Sequence, residues 1–262
     1  MKRRAKVLGT QLVLPMLAFA SLGHALRAQA DDHQLLVAAA ISLKEAFNEI
    51  GGLYKQRTGT DVTLSFGASG ELEKQIEAGA PVDVFASAGE EEMEELGVRR
   101  LIEMSTKADF ARNSLVVVVP ADSKLHLQSF LDLQQPQVKK IAIGNPKTVP
   151  AGRYAQQVLQ NSKLWSTVES RLVFAENARQ VLDYVDHGEV DAGIVYATDV
   201  AIAHGGVSVV ARAPNEGYGP ILYPIAVVKD STAPDAARRF VRFVLSSEGN
   251  SVLRKYGFLP AK

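Results

Sequence analysis

The chain has 262 residues, 47% of them hydrophobic and 22% charged, with a mean hydropathy of zero. That composition suits an α/β protein of one or two domains with a large core. There is no cysteine, which excludes disulfides, zinc–thiolate sites and cysteine nucleophiles.

The first 30 residues differ from the rest. Lys2, Arg3, Arg4 and Lys6 precede a mostly apolar run from Val7 to Leu22, and Ala28-Gln29-Ala30 has the small-x-small pattern of a cleavage site. This reads as a secretory signal over residues 1–30, removed on export, and implies a periplasmic location. The apolar run is short for a retained membrane anchor. The leader holds five of the 29 basic residues and no acid, so the remainder carries 24 basic against 29 acidic residues, a net charge of −5. That argues against nucleic acid as a partner, because phosphate contacts need a basic surface.

From Leu35 the chain alternates strands and helices. Leu35–Ile41 is an apolar run that ends at Ser42, after which Leu43, Ala46, Phe47, Ile50, Leu53 and Tyr54 recur on one helical face. Ser42 and Glu45 have capping-box spacing, which predicts a helix starting at Ser42. Asp61–Phe66 alternates as a strand and leads through Gly67-Ala68-Ser69-Gly70 to a short helix bearing Leu72 and Ile76. Val82–Ser87 is a third strand. Five glutamates between Glu90 and Glu95 then open an acidic helix, read as a solvated face with acids placed near its N-terminus.

Leu115–Val119 is apolar on both faces and belongs inside a covered sheet. Ile141–Gly144 is a strand followed by the turn Val149-Pro150-Ala151-Gly152, with Pro150 suited to a first helical position. Leu172–Phe174 precedes a helix whose Asn177 and Gln180 again have capping-box spacing. Ala192–Tyr196 is a strand, with Thr198 or Asp199 capping a short helix after it. Val207–Val210 and Ile221–Val228 are the last strands, and helices over 234–246 and 247–256 close the chain.

This alternation predicts parallel-rich sheets flanked by helices. With no linker or repeat, any division must fall within continuous strands. The expected architecture is α/β in two lobes: a mixed, mostly parallel sheet flanked by helices in each lobe, with a ligand cleft between them. Residues 31–114 with 216–262 form one expected lobe and 115–215 the other.

Catalytic patterns are missing. The histidines are scattered, with no metal-binding H-E-x-x-H. Gly67-Ala68-Ser69-Gly70 is one residue short of the G-x-S-x-G hydrolase elbow. Four helix starts remain, near Ser42, Ser69, Ala151 and Ala178, each among small neutral residues. A helix N-terminus offers backbone N–H donors and a favourable dipole to an anion. Four such starts without side-chain charge suit a small, fully dehydrated dianion. Lys147 and Arg153, beside the third start, are expected to face outward or to steer a ligand.

At these residues the chain resembles a known family. Ala38-Ala39-Ala40 with Ser42-Leu43, Phe66 with Ser69, Val149-Pro150-Ala151-Gly152 with Tyr154-Ala155, Gly193-Ile194-Val195-Tyr196 with Asp199, and Tyr256-Gly257-Phe258 carry the likeness. It is similar to the periplasmic molybdate-binding proteins of ABC importers over nearly all of 35–258, and the likeness implies their α/β, two-lobed periplasmic-binding-protein fold. The resemblance implies a non-enzymatic carrier of molybdate or tungstate that delivers its ligand to a membrane permease, acts as a monomer and needs no cofactor. Molybdenum would enter only as the oxyanion, held by Ser42, Ser69, the backbone at Ala151 and Ala178, and the Tyr196 hydroxyl. Gly70 departs from relatives that carry a further hydroxyl there. From the physics alone, another tetrahedral oxyanion such as sulfate stays open, as does an exported hydrolase using Ser69.

Overall fold

The computed structural model describes residues 34–203, 205–214 and 218–261; the expected signal segment lies outside them. The described strands form two five-stranded sheets with a shared plan. The first half of the chain builds β1 (Gln34–Ala40), α1 (Lys44–Thr58), β2 (Asp61–Gly67), α2 (Ser69–Glu77), β3 (Val84–Ala86), α3 (Glu90–Val98), β4 (Ala108–Asn113) and β5 (Leu115–Pro120). There follow β6 (Ile141–Gly144), α4 (Pro150–Asn161), α5 (Trp165–Val168), β7 (Leu172–Ala175), α6 (Ala178–Asp186), β8 (Ala192–Tyr196), α7 (Ala197–Ala201) and β9 (Val207–Arg212). The chain ends with β10 (Ile221–Val227), α8 (Pro234–Val244) and α9 (Ser247–Lys255).

The first sheet has the order β2-β1-β3-β10-β4 and the second β7-β6-β8-β5-β9. In each, three parallel strands are followed by one antiparallel strand, β10 or β5, which pairs antiparallel with the last. The result is a mixed, mostly parallel sheet in each of two lobes. β4 belongs to the first sheet and β5 to the second, so the chain crosses at Ser114. It returns between β9 and β10. The three parallel strands of each sheet deliver their C-terminal ends to the cleft side, where open α/β sheets collect ligands.

β4 escapes the sequence reading because its burial does not alternate: Phe110, Ala111 and Asn113 are buried while Asp109 is exposed. Period-2 patterning finds strands with one wet face, and this one packs on both. Its Phe110 anchors the first lobe's core against Phe47, 5.7 Å between ring centroids, and Phe47 meets Phe240 of α8 at 6.3 Å. At the crossing, Tyr223 of β10 is surrounded by Phe110 (6.2 Å), Tyr196 (5.7 Å) and Phe258 (5.3 Å). Each such ring removes enough apolar surface from water to stabilise the fold by roughly 1.5–3 kcal/mol. The Tyr256-Gly257-Phe258 ending therefore braces the aromatic cluster at the lobe crossing.

Two glycines of opposite character test this packing. A Cβ on Gly152 would lie 1.9 Å from the Gly144 carbonyl oxygen, whereas one on Gly52 would meet nothing within 4 Å. Gly152→Ala should thus lower stability by at least about 2 kcal/mol, since backbone cannot yield as a side chain can. Gly52→Ala, in exposed α1, should raise stability by about 0.5–1 kcal/mol. Urea unfolding midpoints for the two variants check both signs; a neutral Gly152→Ala would mean that α4 does not sit as close to β6 as described.

Candidate functional site

Between the lobes lies a small cavity of about 210 Å³ of atom-free space, its open mouth included. It is lined by Ala40, Ile41 and Ser42 after β1, by Gly67, Ala68 and Ser69 after β2, and by Ala88 after β3. The second lobe contributes Val149, Pro150 and Ala151 at the start of α4, Ala178 at the start of α6, and Tyr196 at the end of β8. All five residues singled out in the sequence, Ser42, Ser69, Ala151, Ala178 and Tyr196, line this one cavity. No lining residue is charged. Its room for a water-sized sphere is only about 10 Å³, against the 300–1,000 Å³ typical of organic ligand pockets.

The local chemistry explains why these ends converge. A strand end running into a helix leaves the first N–H groups without intrahelical partners. Neither the Ala151 nor the Ala178 N–H finds an acceptor among the described residues, and both residues are buried, with Ala151 1% and Ala178 3% exposed. α6 is capped as expected, Asn177 accepting from the Gln180 N–H at 3.0 Å. The Ser42 capping box does not form: α1 begins at Lys44 after a short 3₁₀ turn, and Ser42 makes no cap bond. Its hydroxyl instead lies 3.1 Å from the Tyr223 hydroxyl. Ser69 Oγ accepts from the Ala88 N–H at 3.0 Å, which leaves its own proton free for the cavity. The Tyr196 hydroxyl behaves differently: it donates its single proton across the cleft to the Ala88 carbonyl at 3.0 Å.

The lobes are drawn together around the cavity. The Gly70 N–H donates to the Thr148 carbonyl of the opposite lobe at 3.0 Å, and a Cβ at Gly70 would come within 2.8 Å of that oxygen. This gives the missing hydroxyl at position 70 a steric reason. Arg153 does not face outward, as the sequence suggested. Its side chain is 17% exposed and reaches across to Glu92 and, at 2.9 Å, to Glu91 of α3. Glu92 is correspondingly buried rather than part of a solvated acidic face. Burial pushes the Glu92 carboxyl up, although Arg153 pulls it down, and Arg153 is itself held above its usual value by Glu92 despite burial. A second cross-lobe pair joins Arg179 of α6 to Glu45 of α1 at 3.0 Å. Lys147 remains on the exposed surface. Sequence reasoning missed both ion pairs, because their partners lie 61 and 134 residues apart.

Sequence comparison places this geometry among known proteins. The profile of the bacterial extracellular solute-binding proteins matches residues 35–259. The chain is 36% identical to the molybdate-binding protein ModA of Escherichia coli, over 92% of this chain and 94% of that one. It is 37% identical to the Bacillus subtilis lipoprotein YvgL, provisionally named an ABC transporter substrate-binding protein, over 86% and 85% of the two chains. Among solved structures it is similar to the periplasmic molybdate-binding protein of Azotobacter vinelandii, with a TM-score of 0.79 at 25% identity, covering 87% of this chain and all of the other.

Behind Tyr196, Asp199 is buried at 1% exposure; its Oδ2 accepts from the Tyr196 N–H at 3.2 Å, and its Oδ1 has no partner. Burial pushes its carboxyl up to about 7, against the pull of Arg179 and of the Tyr196 N–H. An acid raised above its unfolded value of about 3.9 holds an extra proton in the folded state between the two values. Its contribution to stability is therefore present at low pH and lost as pH rises through about 7. Asp199→Asn should raise the melting temperature at pH 8, and the gain should vanish by about pH 4. A gain independent of pH would show that ionisation of Asp199 is not the cost.

Proposed function

The chain belongs to the bacterial extracellular solute-binding proteins, and from that premise we propose that it is a periplasmic carrier of molybdate or tungstate for an ABC importer. The observation that carries this reading is a small cavity whose free groups are donors and whose lining holds no charge. The ModA relative at 36% identity supports the ligand class. Residues 31–114 with 216–262 make one lobe and 115–215 the other in this reading, and the leader over 1–30 directs export. The carrier acts as a monomer that closes on its cargo and presents it to the membrane permease.

In this mechanism the ligand is a dehydrated tetrahedral dianion. The Ala151 and Ala178 N–H groups and the Ser42 and Ser69 hydroxyls donate to its oxygens. The Tyr196 proton moves from the Ala88 carbonyl to a ligand oxygen when the anion enters. Hydrogen bonds to a charged group contribute roughly 1.5–3 kcal/mol each. The five donors named here give ~8–15 kcal/mol gross, and after the several kcal/mol that association costs the upper part of that range leaves roughly micromolar affinity or better. No arginine needs to touch the ligand, because Arg153 and Arg179 are already paired with glutamates. Molybdenum is cargo, and no resident cofactor takes part.

Binding rather than hydrolysis is supported by the partners of the two serines. Ser69 is engaged by a backbone N–H and Ser42 by a tyrosine hydroxyl, and among the described residues neither is hydrogen-bonded to a histidine or carboxylate. A serine nucleophile needs such a base.

Calorimetric titration with molybdate, tungstate, sulfate and phosphate tests the proposal. A ligand that binds only the folded state raises the melting temperature according to RT ln(1 + [L]/Kd). Millimolar molybdate should therefore raise it by several degrees, whereas phosphate, which carries a proton at neutral pH, should not. Equal shifts with both anions would sink the donor-only site. Ser69→Asp places a fixed anion in the cavity and should abolish molybdate binding while the circular dichroism spectrum stays unchanged. Arg153→Gln strands the buried Glu92 and breaks a cross-lobe pair. It should weaken binding at least tenfold, chiefly through faster release; an unchanged release rate would show that the pair does not hold the lobes shut.

A further inference from the structure

Behind Ser42 a short chain of hydroxyl and amide groups leads away from the cavity to the point where the chain crosses between the lobes. Asn113 is the last residue of β4, 8% exposed, and its orientation is fixed: Oδ1 accepts from the Ser114 N–H at 2.9 Å. The Nδ2 group therefore faces the other way and donates to Thr198 Oγ1 at 2.8 Å and to the Tyr223 hydroxyl at 3.0 Å. Tyr223 is fully buried, and its oxygen already accepts from Asn113. Its own proton has one acceptor within reach among the described residues, Ser42 Oγ at 3.1 Å. A buried hydroxyl that leaves its proton unpaired carries a desolvation penalty, so Tyr223 donates to Ser42. Ser42 then has one lone pair occupied, and its proton is turned toward the cavity it lines.

We propose that Asn113 and Tyr223 are positioning residues that set the polarity of Ser42, making it a donor toward the ligand. The argument rests on the reading of this cavity as an oxyanion site. Neither residue touches the ligand: Tyr223 and Asn113 act only through Ser42. The arrangement also explains a conflict in the sequence. Ser42 sits at capping-box spacing from Glu45, yet its hydroxyl is withheld from the helix end. A cap would turn the serine oxygen toward a backbone N–H of the helix and so away from Tyr223. Ser69 reaches the same polarity by another route, its oxygen accepting from the Ala88 N–H. In both serines one lone pair is taken by a protein donor, so the hydroxyl proton is left for the ligand.

A double-mutant cycle separates this role from simple packing. Tyr223→Phe keeps the ring against Phe110, Tyr196 and Phe258 and removes only the hydroxyl. Dissociation constants are measured by calorimetry for the parent chain, Tyr223→Phe, Ser42→Ala and the double variant, with the tightest bound of molybdate, tungstate and sulfate. Tyr223→Phe should weaken binding about tenfold in the parent and less than twofold in the Ser42→Ala background, because contacts that act in series are not additive. The melting temperature of the unliganded chain should change equally in both backgrounds. Equal losses of affinity in the two backgrounds, or no loss in the parent, would overturn the relay. Should Tyr223→Phe fail to fold, Asn113→Leu takes its place in the same cycle with the same expected outcome. If sulfate proves the tightest ligand, the assignment of molybdate falls while the cycle still decides the relay; if none of the three binds, both readings fall.

Discussion

A dianion can be taken out of water only where the protein replaces its hydration shell, and in the proposed function that happens without a counter-charge. The N–H groups at the starts of α4 and α6 and the two serine protons are the groups proposed to replace it. Partial charges fixed in backbone need no reorganisation when the anion arrives, and the surrounding dry walls strengthen them. Everything nearby follows from keeping those donors neutral and pointed inward. The side chains of Ser42, Ser69, Ala151 and Ala178 are small, which leaves the neighbouring N–H groups uncovered. The arginines next to two of them, Arg153 and Arg179, are held by glutamates and so do not compete for the cavity.

The same glutamate–arginine pairs join the lobes. Arg153 lies two residues after Ala151 and Arg179 one residue after Ala178, so each pair fastens the two lobes directly behind a donor. Glu92 is buried and Arg153 mostly so. Such a pair is costly to desolvate, and its worth lies in fixing one arrangement. Backbone contact completes the closure. Gly70 and Gly89 carry no Cβ where Thr148 and Pro150 of the opposite lobe press in, so the lobes approach closely beside the cavity.

The crossing between lobes is an aromatic and polar cluster rather than a loop. Tyr223, Phe110, Phe258 and Tyr196 pack there, and Asn113, Thr198 and Ser42 hydrogen-bond through it. Tyr196 belongs both to this cluster and to the cavity wall, and Ser42 of the wall hydrogen-bonds to Tyr223 of the cluster. Asp199 lies just behind, buried and short of a partner, and ties the Tyr196 backbone to the start of α7.

Local pattern determined much of this protein. The alternation of apolar runs with 3.6-residue periodicity sets the order of nearly every strand and helix. The small residues at Ser42, Ser69, Ala151 and Ala178 mark four helix starts, because such starts are written in a few adjacent residues. Strand β4 stayed hidden, since a strand packed on both faces does not alternate. The tertiary structure alone decided where hydroxyl protons and charged side chains go. Ser42 has the spacing of a cap but faces Tyr223, 181 residues away, and Arg153 has the look of a surface residue but is claimed by α3. Periodicity reports which face of an element is buried. It carries no record of which distant partner waits there, and for hydrogen bonds and ion pairs the partner fixes the role.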